Sequence, residues 1–244
     1  MTEIHVRYEH DGGVALIRLD APERKNALVG EMARDLVHAV TEADDDPRVG
    51  AIVISGGPHA FCAGAHRGLL AAAANEDPNA SDDLEAVYRI FATVRDTDVP
   101  TIAAIAGPAV GAGLNLALAC GLRVVGESAY LRSMFLANDI HPAGGHLRML
   151  RDVGGRALAV RMAVLDEPLD AAAAVAAGVA LGPYPDAELE DEAVRLARLV
   201  ASKPALARWI NRSVREVANL DDAGAARHEA DAQRVSLRRC LAQR

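Results

Sequence analysis

An alternation of short apolar strands with amphipathic helices is the feature that most limits the fold of this chain. The apolar segments 51–54, 101–106 and 122–125 are typical of buried strands, and amphipathic helices are predicted at 30–43 and 84–97. Beyond about residue 130 the pattern changes and only helices are predicted. The sequence therefore predicts an α/β core followed by a helical C-terminal part.

We divide these parts into a core at 1–185 and a C-terminal helical region at 186–244. A β-hairpin is expected early in the core, because strand-like segments at 3–8 and 14–19 flank a turn-forming Asp-Gly-Gly sequence. The polar segment 74–83 is predicted to be a mobile loop. Further helices are predicted at 112–120, 144–165, 170–177, 189–200, 204–218 and 222–242.

Charge and cysteine usage exclude several classes of protein. The 244 residues carry a formal net charge of -8 and no block of Lys or Arg, so nucleic acids and anionic membrane surfaces are poor partners. The three cysteines are scattered without a CxxC spacing, so neither a disulfide framework nor a metal site is expected. Neither a signal peptide nor a membrane span is evident in the sequence. We therefore expect a cytoplasmic protein with reduced thiols.

Two segments rich in small residues carry the chemical information. The first, His59–His66, follows a predicted strand, and its glycine and alanines allow the backbone to approach a ligand closely. Alone, it is equally compatible with an ordinary tight turn. The second, Gly107–Ala117, follows another strand and opens a helix, where backbone N–H groups can bind an oxygen that becomes negative during a reaction. Its glycine spacing fits neither a dinucleotide-binding loop nor a Walker A loop.

Together with the segment Val14–Leu28, these two segments resemble the crotonase (enoyl-CoA hydratase/isomerase) superfamily. The resemblance covers roughly residues 5–220. It implies a spiral of ββα units with a helical C-terminal region used for trimerisation, so we expect a homotrimer or a hexamer. It also implies an acyl-CoA thioester as the substrate, with coenzyme A belonging to that substrate and no separate cofactor.

The resemblance also implies roles for individual residues. The backbone N–H groups of Ala65 and Ala112 would form an oxyanion hole for the thioester carbonyl, and one such donor is typically worth about 2.7–4 kcal/mol in the transition state. A second group would lie beside the coenzyme A moiety, and it consists of Lys25, Asn26, Ala27, Ala63 and His66. His66 stands where the family motif has an aspartate.

The two glutamates that activate water in the hydratases of this family are missing at the matching positions. The first position, on the helix after the glycine-rich turn, is Asn115, and the second falls at Phe135. Neither side chain can act as a general base near neutral pH, and one general base contributes about 10²–10⁴-fold to a rate. Efficient hydration of the glutamate type is therefore not expected.

Replacement acid–base groups are sought in the segment Asn138–His146, which borders the acyl pocket in relatives. His141 and Asp139 are the candidates for a group that faces the acyl chain, because histidine titrates near neutral pH and aspartate serves as a base in some relatives. The alternative is that Asp139 caps a turn and that the histidines make structural hydrogen bonds. Asn115 is a candidate for orienting water or a substrate group without transferring a proton.

Three functional interpretations remain open from the sequence. The first is an enzyme of the hydratase/isomerase type that stabilises a thioester enolate in the oxyanion hole. The second is a different reaction on the same scaffold, such as isomerisation or hydrolysis, with His141 or Asp139 as the acid–base group. The third is a non-catalytic protein that binds acyl-CoA. Cys62 is expected to be a buried structural thiol rather than a nucleophile.

Overall fold

The computed structural model describes residues 5–242, which contain nine strands and nine α-helices. The strands are β1 (Val6–Asp11), β2 (Val14–Leu19), β3 (Ala51–Ser55), β4 (Thr101–Ile105), β5 (Pro108–Val110), β6 (Leu122–Gly126), β7 (Tyr130–Arg132), β8 (Leu169–Asp170) and β9 (Leu181–Tyr184). The helices are α1 (Gly30–Asp45), α2 (Arg67–Ala74), α3 (Pro78–Asp96), α4 (Ala112–Ala119), α5 (His146–Ala159), α6 (Ala171–Ala176), α7 (Leu189–Ala201), α8 (Pro204–Val217) and α9 (Asp222–Ala242).

The strands form two sheets that repeat a ββα unit along the chain. The larger sheet has the order β1-β2-β3-β4-β6-β9 and is parallel except for the antiparallel pair β1 and β2, and the smaller sheet has the order β5-β7-β8. In the clearest unit, β4 lies in the larger sheet, β5 lies in the smaller sheet, and α4 follows directly. The predicted α/β fold built from ββα units is therefore confirmed. The prediction of helices alone beyond about residue 130 is wrong, because β8 and β9 lie there and pair with earlier strands.

The predicted hairpin is present as β1 and β2, with Asp11 paired to Val14 across the turn. Gly12 and Gly13 have φ angles of 55° and 81°, which glycine adopts without the steric cost of a Cβ atom. The first strand begins three residues later than predicted, at Val6. Residues 3 and 4 of the predicted strand lie outside the described residues.

The larger sheet is covered on both faces. Helices α1 and α3 pack together over one face and bury apolar side chains, which include Met32, Leu36, Ile90 and Phe91. On the other face, α7 buries Leu189, Ala193, Ala197 and Ala201 against strand residues. This helix belongs to the proposed region 186–244 and yet contacts the core sheet, so the division at residue 185 stays a prediction.

The C-terminal helix pair is joined to the core through arginine side chains. Arg208 on α8 donates hydrogen bonds to the backbone oxygens of Ala43 (3.1 Å) and Asp44 (2.6 Å) in the last turn of α1, and to those of Asp46 (2.6 Å) and Val49 (2.9 Å) just after it. One guanidinium therefore joins α8 to several carbonyl groups around the end of α1.

The segment 74–83 was expected to be a loop, and that prediction is wrong from Pro78 onward. Helix α3 begins there, because Pro78 suits the first position of a helix and the Asp77 side chain accepts a 2.9 Å hydrogen bond from the N–H of Asn79. The polar residues that suggested a loop lie mostly on an exposed helix surface. The predicted helix at 144–165 is also interrupted, since Gly155 has a φ of 72°.

In the described part of the chain, none of the helices is both long enough and apolar enough to cross a bilayer.

Candidate active site

A cavity of about 390 Å³ opens where the two small-residue segments meet. Its lining includes Ala63–Ala65 from the first segment and Val110–Ala112 from the second. Helix α3 supplies Leu84, Val87, Tyr88 and Phe91, and the segment after β7 supplies Ser133–Phe135, Asn138, Ile140, His141 and Ala143. The structure therefore brings the two segments that were singled out from the sequence into one site.

Backbone hydrogen bonds and glycines hold the two segments in contact. The N–H of Cys62 donates to the Pro108 oxygen at 3.0 Å, and the N–H of Val110 donates to the Cys62 oxygen at 3.0 Å. A Cβ atom added to Gly113 would lie 2.1 Å from the Cys62 oxygen, a distance that no side chain tolerates. Gly64 has a φ of 101°, and a Cβ there would lie 2.8 Å from the Val110 oxygen. Only glycine allows this close approach at both positions.

The N–H groups of Ala65 and Ala112 have no acceptor within the described residues. In a short parallel bridge, the Leu28 N–H donates to the Gly64 oxygen and the Leu28 oxygen accepts from the His66 N–H. The N–H of Ala65, which lies between these two residues, takes no part in the bridge. Ala112 is the first residue of α4, where helix geometry provides no acceptor. The position of a Cβ on Gly64 would be 3.6 Å from the Ala112 nitrogen, so the two backbone segments adjoin.

The residues predicted to contact coenzyme A occupy different environments. Lys25 is exposed and has a left-handed backbone with a φ of 53°, and its carbonyl oxygen accepts a 2.9 Å hydrogen bond from the Ala63 N–H. Ala27 is buried. Among the five predicted residues, only Ala63 lines the cavity. The structure thus connects Lys25 directly to the cavity lining through the backbone of Ala63.

The other two predicted contacts use their side chains to stabilise backbone structure. Asn26 is buried, and its Oδ1 accepts from the Ala21 N–H at 2.9 Å while its Nδ2 donates to the Gly56 and Ala60 oxygens at 2.9 and 2.8 Å. His66 is exposed and caps α2, because its Nδ1 accepts from the Gly68 N–H at 3.2 Å. Their contact with coenzyme A stays a prediction.

Of the two acid–base candidates, His141 lines the cavity and Asp139 does not. The Nδ1 of His141 donates to the Pro142 oxygen at 2.8 Å, so Nε2 carries the lone pair of the neutral ring. Asp139 is exposed and ends a short 3-10 turn with a left-handed backbone. Within residues 5–242, no Asp or Glu side chain contributes to the cavity lining.

Asn115 lines the cavity, and both the oxygen and the nitrogen of its side-chain amide form hydrogen bonds within the protein. Its Nδ2 donates to the Ala143 oxygen at 2.9 Å, and its Oδ1 accepts from Nδ1 of His146 at 2.6 Å. The remaining ring nitrogen, Nε2 of His146, lies 2.8 Å from Oγ of Ser133. Ser133 was not singled out from the sequence, because a single serine after a short strand carries no recognisable motif.

The environment of His146 keeps its imidazole neutral. The ring is buried, and Phe135 packs edge-on against it with the ring centroids 4.8 Å apart. This burial penalises the charged form and lowers the pKa of His146 to about 4. At neutral pH the ring therefore keeps one protonated nitrogen and one lone pair.

Cys62 lies beside the proposed oxyanion hole but is held as a thiol. Its side chain is fully buried, and Sγ donates to the Asn26 oxygen at 3.0 Å. Burial raises the pKa of the Cys62 thiol to about 12. A thiol with this pKa is not a nucleophile at neutral pH.

Comparison with known proteins places this geometry in one family. The family model described as enoyl-CoA hydratase/isomerase matches residues 9–237. The chain is 40% identical over 197 residues to the protein named "Probable enoyl-CoA hydratase EchA14" of Mycobacterium tuberculosis, which covers 81% of this chain and 74% of the relative. It is 31% identical over 206 residues to 4-chlorobenzoyl coenzyme A dehalogenase-1 of Arthrobacter sp., which covers 82% of this chain and 73% of that protein.

A solved structure supports the same assignment. The enoyl-CoA hydratase from a Polaromonas species superposes with a TM-score of 0.86 at 26% identity, and the match covers 93% of this chain and 89% of that one. Because the family model spans nearly all of the described residues and the relatives share the fold, the chain belongs to the enoyl-CoA hydratase/isomerase (crotonase) family.

Proposed function

We propose that this chain binds an acyl-CoA thioester and polarises its carbonyl with the N–H groups of Ala65 and Ala112. The observation that carries the proposal is that both N–H groups lack an acceptor among residues 5–242 and belong to residues that line the same cavity. Two preorganised donors stabilise negative charge on a thioester oxygen, and each is worth about 2.7–4 kcal/mol. Family membership supports the choice of a coenzyme A thioester as the ligand.

The lining of the cavity supports an apolar acyl group. Leu70, Leu84, Val87, Phe91 and Ile140 contribute apolar side chains, and Arg67 is the only Lys or Arg among the described lining residues. Apolar side chains favour a hydrocarbon chain, and the guanidinium favours the anionic coenzyme A moiety. Acyl binding and coenzyme A binding would therefore involve different parts of one cavity.

A second candidate function is a non-catalytic protein that binds acyl-CoA. The observation that favours it is the lack of a carboxylate among the described lining residues, since a glutamate base is what hydration of this type uses. One measurement distinguishes the enzyme from the binding protein. An enzyme that stabilises an enolate exchanges the α-protons of a saturated acyl-CoA with deuterium from D₂O, whereas a binding protein does not.

The oxyanion hole is tested by removing one donor without changing the helix. Ala112→Pro deletes the N–H at the first position of α4, where proline is well tolerated, and Ala112→Val adds similar bulk but keeps the N–H. We expect the carbonyl stretching frequency of a ¹³C-labelled thioester to fall on binding to the native protein and to Ala112→Val, and to fall less with Ala112→Pro. Equal frequency shifts in both variants would overturn the proposed role of Ala112.

We also infer that the chain assembles into a homotrimer or a hexamer through its C-terminal helices. Helix α8 exposes Leu206, Ile210 and Val214, whose side chains recur at helical spacing along one face. Exposed apolar stripes of this kind mark interaction surfaces. The resemblance to a family that uses this region for trimerisation supports further copies of this chain as the partners that cover the stripe.

A further inference from the structure

A hydrogen-bonded chain of three side chains lies beside the proposed oxyanion hole. Ser133 and Asn115 line the cavity, and His146 connects them. From this arrangement we propose that Ser133 is a nucleophile for the thioester carbonyl, with His146 as its general base and Asn115 as the residue that positions the imidazole. This inference rests on the proposed function, because it requires the thioester carbonyl to lie at the N–H groups of Ala65 and Ala112.

The direction of each hydrogen bond leaves the transferable proton on the serine. The Ala143 oxygen accepts from Nδ2 of Asn115, so Oδ1 of the same amide faces His146 and can only accept. Nδ1 of His146 therefore carries the ring proton, and the lone pair on Nε2 faces Oγ of Ser133 at 2.8 Å. Nucleophilic catalysis requires a nucleophile that is hydrogen-bonded to a base, and a third group that forms a hydrogen bond to the base and orients it.

The strand pairing places Ser133 next to the second N–H donor. Val110 of β5 pairs with Arg132 of β7, and the N–H of Gly111 donates to the Arg132 oxygen at 3.0 Å. Ser133 follows Arg132, and Ala112 follows Gly111, so the serine and the start of α4 lie at the same end of two paired strands. A nucleophile and an oxyanion donor are thus presented from adjacent backbone segments.

The reaction that this arrangement supports is hydrolysis of the thioester by water. Oγ of Ser133 bonds to the carbonyl carbon while its proton passes to Nε2 of His146, and the carbonyl oxygen becomes an oxyanion at the two N–H groups. The C–S bond then breaks, and the coenzyme A sulfur takes the proton from His146. Water attacks the resulting ester and gives a proton to His146, which returns it to Ser133 as the carboxylic acid leaves.

The three hydrogen-bonded side chains are buried, and their burial predicts slow acylation of Ser133. Ser133 exposes none of its surface to solvent in this structure, although it belongs to the cavity lining. Its hydroxyl reaches a substrate only after a rotation of its own side chain or of a neighbour such as Met134. Acylation therefore requires this side-chain rearrangement first, and single-turnover conditions suit its detection.

A second serine–histidine pair in the chain offers a matched control. Oγ of Ser213 lies 3.0 Å from Nε2 of His228, which also lies 3.4 Å from a carboxylate oxygen of Glu216. This pair connects α8 to α9, and Ser213 lies in the interior of α8, where backbone N–H groups are used within the helix. A serine–histidine contact alone therefore does not predict acylation, and Ser213 is expected to stay unmodified.

The experiment incubates the full chain with butyryl-CoA, stops the reaction with acid, and measures the intact mass, the modified peptide and the free coenzyme A. Chromatography is used for coenzyme A because the exposed Cys240 would react with thiol reagents. Calorimetry with a butyryl thioether analogue, which has no cleavable thioester, measures binding separately. The variants are Ser133→Ala, Ser133→Cys, His146→Gln and Ser213→Ala.

We expect one acyl group on the Ser133 peptide, or release of coenzyme A that depends on Ser133. Ser133→Ala should abolish both, His146→Gln should slow acylation by about 10²–10⁴-fold, and Ser213→Ala should behave as the native chain. Ser133→Cys keeps a nucleophile of similar size, so its acylation supports the proposal even if Ser133→Ala does not fold.

Two results would overturn the inference while the proposed function stands. One is binding of the thioether analogue by the native chain with neither acylation nor release of coenzyme A. The other is release of coenzyme A by Ser133→Ala at the native rate. If the native chain does not bind the analogue, the proposed function fails and this inference fails with it.

Discussion

The carboxylate of Asp166 accepts a 2.8 Å hydrogen bond from the backbone N–H of Met134. Met134 has a left-handed backbone with a φ of 63°, which is costly for a residue with a long side chain. The same carboxylate binds Arg132 at 2.7 Å. Asp166 thus contacts both neighbours of Ser133, the backbone of Met134 and the side chain of Arg132, although it lies more than 30 residues away in the sequence.

Asp166→Ala should therefore destabilise the protein and loosen the segment that carries Ser133. A hydrogen bond to a charged group contributes about 1.5–3 kcal/mol, and the free energy of unfolding in urea should fall by about that amount. Arg132→Gln removes only the ion pair and serves as the control, with a smaller expected loss. Equal losses in the two variants would show that the Met134 N–H contact contributes nothing.

The stability of the protein should depend on His146 below neutral pH. The pKa of His146 is lowered by burial from its ordinary value of 6.5 to about 4, so between these values the unfolded chain binds a proton that the folded chain does not. Folding stability is then fully present above pH 6.5 and decreases as the pH falls towards 4, by up to about 3 kcal/mol.

The measurement is the free energy of unfolding from pH 7 to pH 4 for the native chain and for His146→Gln. Other groups also titrate in this range, so the informative quantity is the difference in pH dependence between the two proteins. The exposed His38 provides the control, and His38→Gln should keep the native pH dependence. An unchanged slope in His146→Gln would contradict the prediction.

Gly113→Ala should separate the two segments that form the site. The added Cβ would lie 2.1 Å from the Cys62 oxygen, and the overpacking is expected to cost about 1–3 kcal/mol of stability together with most of the affinity for acyl-CoA. Gly57→Ala is the control, because it has a φ of 75° but nothing within 4 Å of its Cβ position. Thermal unfolding and calorimetry distinguish the two, since only Gly113→Ala should lose binding.

Arg67→Gln should weaken binding of coenzyme A thioesters by up to about tenfold, the factor that 1.4 kcal/mol represents. Arg67 is exposed at the cavity, and we expect its guanidinium to attract the phosphates of a bound coenzyme A thioester. The effect should shrink at 0.5 M salt, because exposed charges are screened. Arg198, which binds Asp11 instead, supplies the control Arg198→Gln, for which an unchanged dissociation constant is expected.

Ile210→Asp should reduce the mass of the assembly in solution. The side chain is 56% exposed in the single chain, and a carboxylate buried in a trimer contact would be strongly unfavourable. Light scattering after size exclusion is expected to give the mass of a trimer or hexamer for the native chain and that of a smaller species for the variant. A native chain that elutes as a monomer would disprove the inferred assembly.

The two small-residue segments that were singled out from the sequence line one cavity, and their role in binding a ligand stays a prediction. They were recognised because, together with Val14–Leu28, they resemble the motifs of a known family, and because glycine allows backbone geometry that is local to the chain. Helix α9 was likewise predicted with its observed bounds at 222–242. The helical start of α3 at Pro78 was missed, because exposed polar residues on a helix have the same composition as a loop.

The arrangement of side chains in the candidate site depends on contacts between residues that are distant in the sequence. Asn115, Ser133 and His146 meet only because β5 pairs with β7 and α5 begins beneath them, and no local pattern reports such pairing. His141 and His146 are five positions apart, yet one is exposed and the other buried. This difference in burial arises from tertiary contacts, so it could not be predicted from the local sequence.

The contacts of Arg208 have a consequence for how this chain tolerates substitution. Four of the acceptors that its guanidinium uses are main-chain oxygens, at residues 43, 44, 46 and 49, which every amino acid provides. The contact therefore does not depend on the side chains at these four positions, whereas Arg208 itself cannot be replaced by lysine, which lacks the planar fork of donors. The attachment of the C-terminal helices thus constrains the residue type at position 208, and at the end of α1 it constrains the path of the backbone.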